Sequence, residues 1–96
     1  MRMFGGLLIV MLFLSAQDLV AQKTAEDYFK RGNESVTAKD YSAAITDFSI
    51  AISIDPKYIA AYRSRGLARA LNKNFAGAII DLTKVIEFNP NDATAY

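Results

Sequence analysis

The sequence contains no cysteine and no histidine. Without a thiol or an imidazole there is no disulfide framework, no Cys- or His-based metal site, no thiol nucleophile and no triad with a histidine base. Proline is scarce, at two in 96 residues, and so is glycine, at five. Gly5 and Gly6 sit in an apolar N-terminal run while Gly32, Gly66 and Gly77 are isolated, so no glycine-rich phosphate loop can be assembled. Charge of one sign is missing too: 11 Lys+Arg face 10 Asp+Glu, for a net charge of +1. That balance argues against a nucleic-acid binder that works by phosphate attraction and against an acidic tail. What is present is apolar substance, 52% of the residues, too much for a disordered chain. The expectation moves from catalysis to binding, with no cofactor, no metal and no nucleic acid.

The apolar residues are unevenly spread. Phe4 to Leu14 is an uncharged run directly after the basic start Met1-Arg2-Met3. As a helix it spans roughly 16 Å, about half of the ~30 Å hydrocarbon core. Extending it to Val20 takes in Gln17 and Asp18, and a carboxylate in lipid is costly. A positive start, a short apolar stretch and a small-residue exit read as a signal peptide over residues 1–21, with Ala16 or Ala21 as the last residue before cleavage. An uncleaved anchor and a buried helix of the domain are the alternatives. The implied location is exported, periplasmic or secreted, with a membrane-anchored form as runner-up.

Beyond a short linker at 22–24 the chain repeats itself. Asp55-Pro56 and Asn89-Pro90 lie 34 residues apart. Sliding residues 25–58 onto 59–92 aligns nine identical pairs without a gap: Tyr28/Tyr62, Arg31/Arg65, Gly32/Gly66, Lys39/Lys73, Ala44/Ala78, Ile45/Ile79, Asp47/Asp81, Ile52/Ile86 and Pro56/Pro90. Chance gives about two identities over such a window, and a fixed period of this size is the mark of a solenoid. Within each unit the apolar residues step by three and four, as in Ala44, Ile45, Phe48, Ala51 and Ile52. Thr24 followed by Asp27 is a loose capping signature, and each proline ends its unit by pushing the preceding residue out of helical geometry. The spacing predicts an all-α fold with helices at about 25–38, 41–54, 59–72 and 75–88, and a fifth beginning near Asp92.

A helix–turn–helix unit of 34 residues resembles the tetratricopeptide repeat. Unit one, 25–58, supplies Tyr28, Gly32, Tyr41, Ala44, Phe48, Ala51 and Pro56 at the packing positions of that repeat. Unit two, 59–92, supplies Tyr62, Gly66, Phe75, Ala78, Leu82, Val85 and Pro90, and residues 93–96 match the start of a third. Ser35 and Arg69 depart from the aromatic often found at the eleventh position, and Val85 from the preferred alanine. The resemblance implies an α-solenoid of antiparallel helix pairs. The residues carry the same message: Gly32 and Gly66 lack a Cβ and let a neighbouring helix approach, a gain that outweighs the ~1 kcal/mol of a mid-helix glycine.

The resemblance also implies a concave groove lined by the first helix of each pair, which binds an extended peptide or partner helix. Carried over, its residues are Glu26, Phe29, Asn33, Val36 and Thr37 in unit one, and Ala60, Arg63, Leu67, Ala70 and Leu71 in unit two. Phe29 is either a groove contact or a cap packed on the leader or linker. The chaperone-tail clamp of the family is matched by Asn33 alone, with Phe29 and Ser64 at its other places. The groove implied instead suits an apolar segment carrying one acid, with Arg63 nearby.

Lys57, Arg63, Arg65, Arg69 and Lys73 fall in a stretch without an acid. They form either an anion-binding stripe or a solvated face paired with Asp47, Asp81 or Glu87. Asp47 and Asp81 repeat at one place in each unit, which repeat symmetry explains better than paired acid–base chemistry. A solenoid of about two units leaves Ile79, Leu82 and Ile86 with an uncovered side, which favours continued repeats or self-association. The function expected is a non-catalytic, exported scaffold for a protein or peptide partner. Its rivals are the N-terminal arm of a longer exported enzyme or sensor and a membrane-tethered assembly factor.

Overall fold

A computed structural model describes residues 23–89; the leader over 1–21, Pro90 and the start of a third unit lie outside the described residues. Four helices follow one another: α1 (Ala25–Thr37), α2 (Tyr41–Ile54), α3 (Ile59–Leu71) and α4 (Phe75–Phe88). There is no strand among the described residues. α1 packs on α2, α3 on α4 and α2 on α3, with a smaller contact between α1 and α3. The fold is all-α, an array of antiparallel helix pairs.

Local chemistry sets each boundary. At the start of α1 the Asp27 amide donates to the Thr24 hydroxyl at 3.2 Å, and the Thr24 amide donates to the Asp27 carboxylate at 2.9 Å. This reciprocal cap satisfies two of the otherwise orphaned amides. Asp40 and Asn74, equivalent in the repeat, cap α2 and α4 by accepting from the amides of Ala43 at 3.2 Å and Gly77 at 3.0 Å. α3 has no side-chain cap. It is entered instead through the turn Asp55-Pro56-Lys57-Tyr58, where the Lys57 amide donates to the Asp55 carboxylate and the Tyr58 amide to the Asp55 carbonyl, each at 3.1 Å. Proline fits the second place of such a turn because its φ is already set.

The first helix of each unit stops one residue short of the expected end, and for the same reason in both. Lys39 and Lys73 take φ of 61° and 66°. In unit one the Asp40 amide donates back to the Ser35 carbonyl at 2.8 Å and the Lys39 amide to Val36 at 2.9 Å. In unit two Asn74 donates to Arg69 at 2.7 Å and Lys73 to Ala70 at 3.0 Å. This left-handed closure usually carries glycine, and a lysine there gives up about 1–2 kcal/mol.

The core is built mostly from alanine. One cluster joins Ala25, Ala51 and Ala61, flanked by Tyr28, Phe29, Ile52 and Tyr58. The other joins Ala44, Phe48 and Ala68, flanked by Phe29, Val36 and Ile45. Small side chains at these points let the helices close on one another, and Phe48, fully buried, fills the remaining space. It lies directly over Gly32: a Cβ there would stand 2.5 Å from the ring. In unit two Gly66 faces Asp81 and Leu82 at 3.2 and 3.3 Å. Ala78 and Val85 are buried while Tyr41, Tyr62 and Leu82 are half-buried. Tyr62 anchors the turn by donating from its hydroxyl to the Pro56 carbonyl at 3.0 Å. Phe75 stands apart from the other packing residues, at 62% exposure.

Candidate functional site

α1 and α3 lie side by side, which brings the ten expected groove residues onto two neighbouring helices. Five of them, Glu26, Asn33, Thr37, Leu67 and Leu71, are exposed; Phe29, Val36, Ala60, Arg63 and Ala70 are half-buried. Leu67 and Leu71, one helical turn apart, are 56% and 54% exposed. On the facing helix the exposed positions 26, 30, 33 and 37 recur at helical spacing. They are polar, and Glu26 and Lys30 form a solvated pair at 3.7 Å.

Phe29 is half-buried among aromatic neighbours. Its ring is 5.7 Å from that of Phe48 and 5.0 Å from that of Tyr58, so it ties the two alanine clusters together. Val36 likewise packs on the second cluster. Of the apolar residues expected in the groove, Leu67 and Leu71 are the two left exposed. Tyr58 was absent from the expected set and forms the aromatic wall at the entrance to α3. Burial, with the charges of Glu26 and Asp55 adding to it, pushes its phenol above the ordinary 10.0. The signal available in the sequence was an aromatic between the turn proline and the first residue of α3.

Two cations of the acid-free stretch are committed to packing. Arg65 donates from Nε and Nη2 to the two carboxylate oxygens of Asp81 at 2.9 and 2.7 Å, and from Nη1 to the Ser49 hydroxyl at 3.1 Å. Arg69 adds a third bond to Asp81 at 2.9 Å. Ser49 is on α2, Arg65 on α3 and Asp81 on α4, so one guanidinium links the two units. In unit one Asp47 has a looser contact with Arg31, at 3.4 Å and with Arg31 55% exposed. Serine at position 35, where unit two has Arg69, removes the second cation. Repeat symmetry placed the two aspartates and packing gave them unequal partners. Among the described residues no group of acids is arranged to hold a metal ion.

The fold defines a class: an array of antiparallel helix pairs stacked one after another. No protein-family profile matches the chain, but individual proteins do. Over 72 residues, 75% of this chain and 12% of the relative, it is 35% identical to a heat shock protein sti1 homolog of Schizosaccharomyces pombe. A small glutamine-rich tetratricopeptide repeat-containing protein 2 of Saccharomyces cerevisiae is 29% identical over 82% of this chain and 23% of its own length. An Hsp70-Hsp90 organizing protein 1 of Glycine max is 37% identical over 59% of this chain and 10% of its own. The likeness supports the tetratricopeptide-repeat reading of the helix pair, and the chain spans less than a quarter of the length of these relatives.

The expectation of export is overturned. The relatives are heat shock, DnaJ-homologous and RNA polymerase II-associated proteins of eukaryotes, which removes a periplasmic, secreted or membrane-anchored location as the reading. No helix among the described residues is long and apolar enough to cross a membrane. The expectation rested on the basic start, the apolar run Phe4 to Leu14 and the small-residue exit at Ala16 or Ala21, all outside the described residues.

Proposed function

We propose that this chain is a non-catalytic protein-interaction scaffold, which takes an apolar segment of a partner protein across the face shared by α1 and α3. The observation that carries this reading is the pair Leu67 and Leu71, one turn apart on α3 and more than half exposed. Large apolar side chains left in water at one helical spacing gain by being covered, at roughly 25 cal/mol per Å² of apolar surface removed from water. In this reading the exposed polar residues Asn33 and Thr37 of α1 supply orientation. Arg63 stands one turn from Leu67 on the same helix. One relative is named for organising Hsp70 and Hsp90, and scaffolding between proteins is the part of that role proposed here. The tail clamp of the family is not, since Asn33 alone matches it.

The test is selection of displayed random peptides on the full chain. Peptides rich in apolar residues should be enriched, and should lose binding to Leu67→Glu and Leu71→Glu while retaining it on Ile80→Glu. Failure to enrich any peptide, or equal binding to all three variants, would remove the groove from consideration.

A further inference from the structure

The period of 34 sets Leu67 at the place of Asn33 and Leu71 at the place of Thr37. At the same two places α1 is therefore polar and α3 apolar. The difference bears on the backbone conformation of whatever covers the leucines. Leu67 and Leu71 are about 6 Å apart along α3. A second helix matches that distance with its own i, i+4 pairs and a strand with alternate residues, so spacing does not choose between them. Hydrogen bonding does. An extended segment needs partners for the amides and carbonyls it buries. Ala60, Leu67, Ala70 and Leu71 have no side-chain donor or acceptor, and the backbone of α3 is bonded within its own helix. The Thr37 hydroxyl already donates to the Asn33 carbonyl at 3.1 Å. A strand laid over the two leucines would bury unpaired polar groups. A helix arrives with its backbone bonds made.

Charge sets the direction. The first alanine cluster joins the starts of α1 and α3 through Ala25 and Ala61, and the second holds Val36 and Ala68 from their later halves. The two helices thus run the same way, with their carbonyl ends together at Thr37 and Leu71. A helix lying antiparallel to both sets its amide end there, which is the favourable pairing of dipoles. Two residues further on, Lys39 and Lys73 stand exposed in the turns. Both keep a left-handed backbone where glycine is easier. Among the described residues neither is joined in an ion pair. Acidic side chains in the first turn of the bound helix, where its own dipole favours them, complement the two lysines.

We propose that the segment taken by the α1/α3 face is an amphipathic helix antiparallel to α3, its apolar i, i+4 pair on Leu67 and Leu71 and its first-turn acids at Lys39 and Lys73. This rests on the reading of that face as a binding surface and states what the surface selects. Fluorescence polarisation of the full chain with labelled synthetic peptides tests it. The probe is a stapled peptide of about fourteen residues, long enough for a helix, with leucines at i, i+4 spacing and glutamates in its first turn. It should bind the wild type and lose binding on Leu67→Glu. The same peptide without the staple and with a central proline should bind about tenfold more weakly or worse. Moving the glutamates to the last turn should weaken binding about tenfold at low salt, and the difference should vanish at about 0.5 M salt. Lys39→Glu combined with Lys73→Glu should reverse the order of the two stapled peptides. A proline peptide that binds as tightly, or stapled peptides indifferent to where the glutamates sit, would overturn the inference and leave the surface standing. If Leu67→Glu weakens none of the peptides, the surface falls and the inference with it.

Discussion

Replacing Gly32 and Gly66 by alanine, one at a time, sets two equivalent positions of the repeat against each other. In a helix interior the change from glycine to alanine gains about 1 kcal/mol from backbone entropy. Space decides the rest. At Gly32 the new methyl would stand 2.5, 2.7 and 2.9 Å from three atoms of the Phe48 ring, and that ring is fully buried with no free side to move towards. Overpacking a filled site costs typically about 1–3 kcal/mol. Overlap with three ring atoms belongs at or above the upper end, for a net loss of about 2 kcal/mol. At Gly66 the nearest atoms are the Asp81 Cβ at 3.2 Å and the end of the Leu82 side chain at 3.3 Å. Leu82 is only half-buried and yields by a few tenths of an ångström, so Gly66→Ala should be neutral or gain about 0.5 kcal/mol. The assay is thermal and urea unfolding followed by circular dichroism. For a domain of this size Gly32→Ala should melt about 10 °C lower, with Gly66→Ala at or above the wild type. Equal effects, or the reverse order, would refute the account of how the two pairs pack.

Asp81→Asn should cost about 3–5 kcal/mol, because it leaves two largely buried guanidiniums, 15% and 22% exposed at their side chains, facing each other without their anion. Asp47→Asn, at the matching place, should cost about 1 kcal/mol or less, since its Arg31 partner is more than half in water; the same urea titrations compare them. Lys73→Gly should stabilise by about 0.5–1 kcal/mol by relieving the left-handed lysine, less the added backbone entropy of glycine; an unfolding midpoint below the wild type would contradict this. The Thr24 amide, donating to the carboxylate, holds the Asp27 carboxyl below its ordinary 3.8. A depressed folded pKa means that the cap stabilises fully above the unfolded value and is lost as pH falls from about 3.8 through the lower folded one. Helicity lost from α1 over that window should follow the Asp27 carboxyl in an NMR titration, and Asp27→Asn should abolish the step.

The order of elements was legible in the sequence because it depends on local chemistry and on a period. Tyr28 and Tyr62, Gly32 and Gly66, and the two proline breaks mark register, and a chain that repeats every 34 residues repeats its backbone. The capping of α1 by Thr24 and Asp27 and the packing role of Phe48 are of the same kind, since each follows from residue type at fixed spacing. What only the tertiary structure decided is where equal residues stop being equivalent. Asp47 and Asp81 are identical in sequence, yet Asp81 collects two arginines because residue 69 is arginine where residue 35 is serine. Phe29, read as a groove contact or a terminal cap, is drawn between Phe48 and Tyr58 because α1 and α3 meet there, while Leu67 and Leu71 stay exposed. Among the described residues Ile45 packs on the second alanine cluster while Ile79 is 65% exposed, although both occupy one place in the repeat. A repeat prescribes the same side chain twice; burial depends on the neighbour across the interface, and the first unit has a different neighbour from the second.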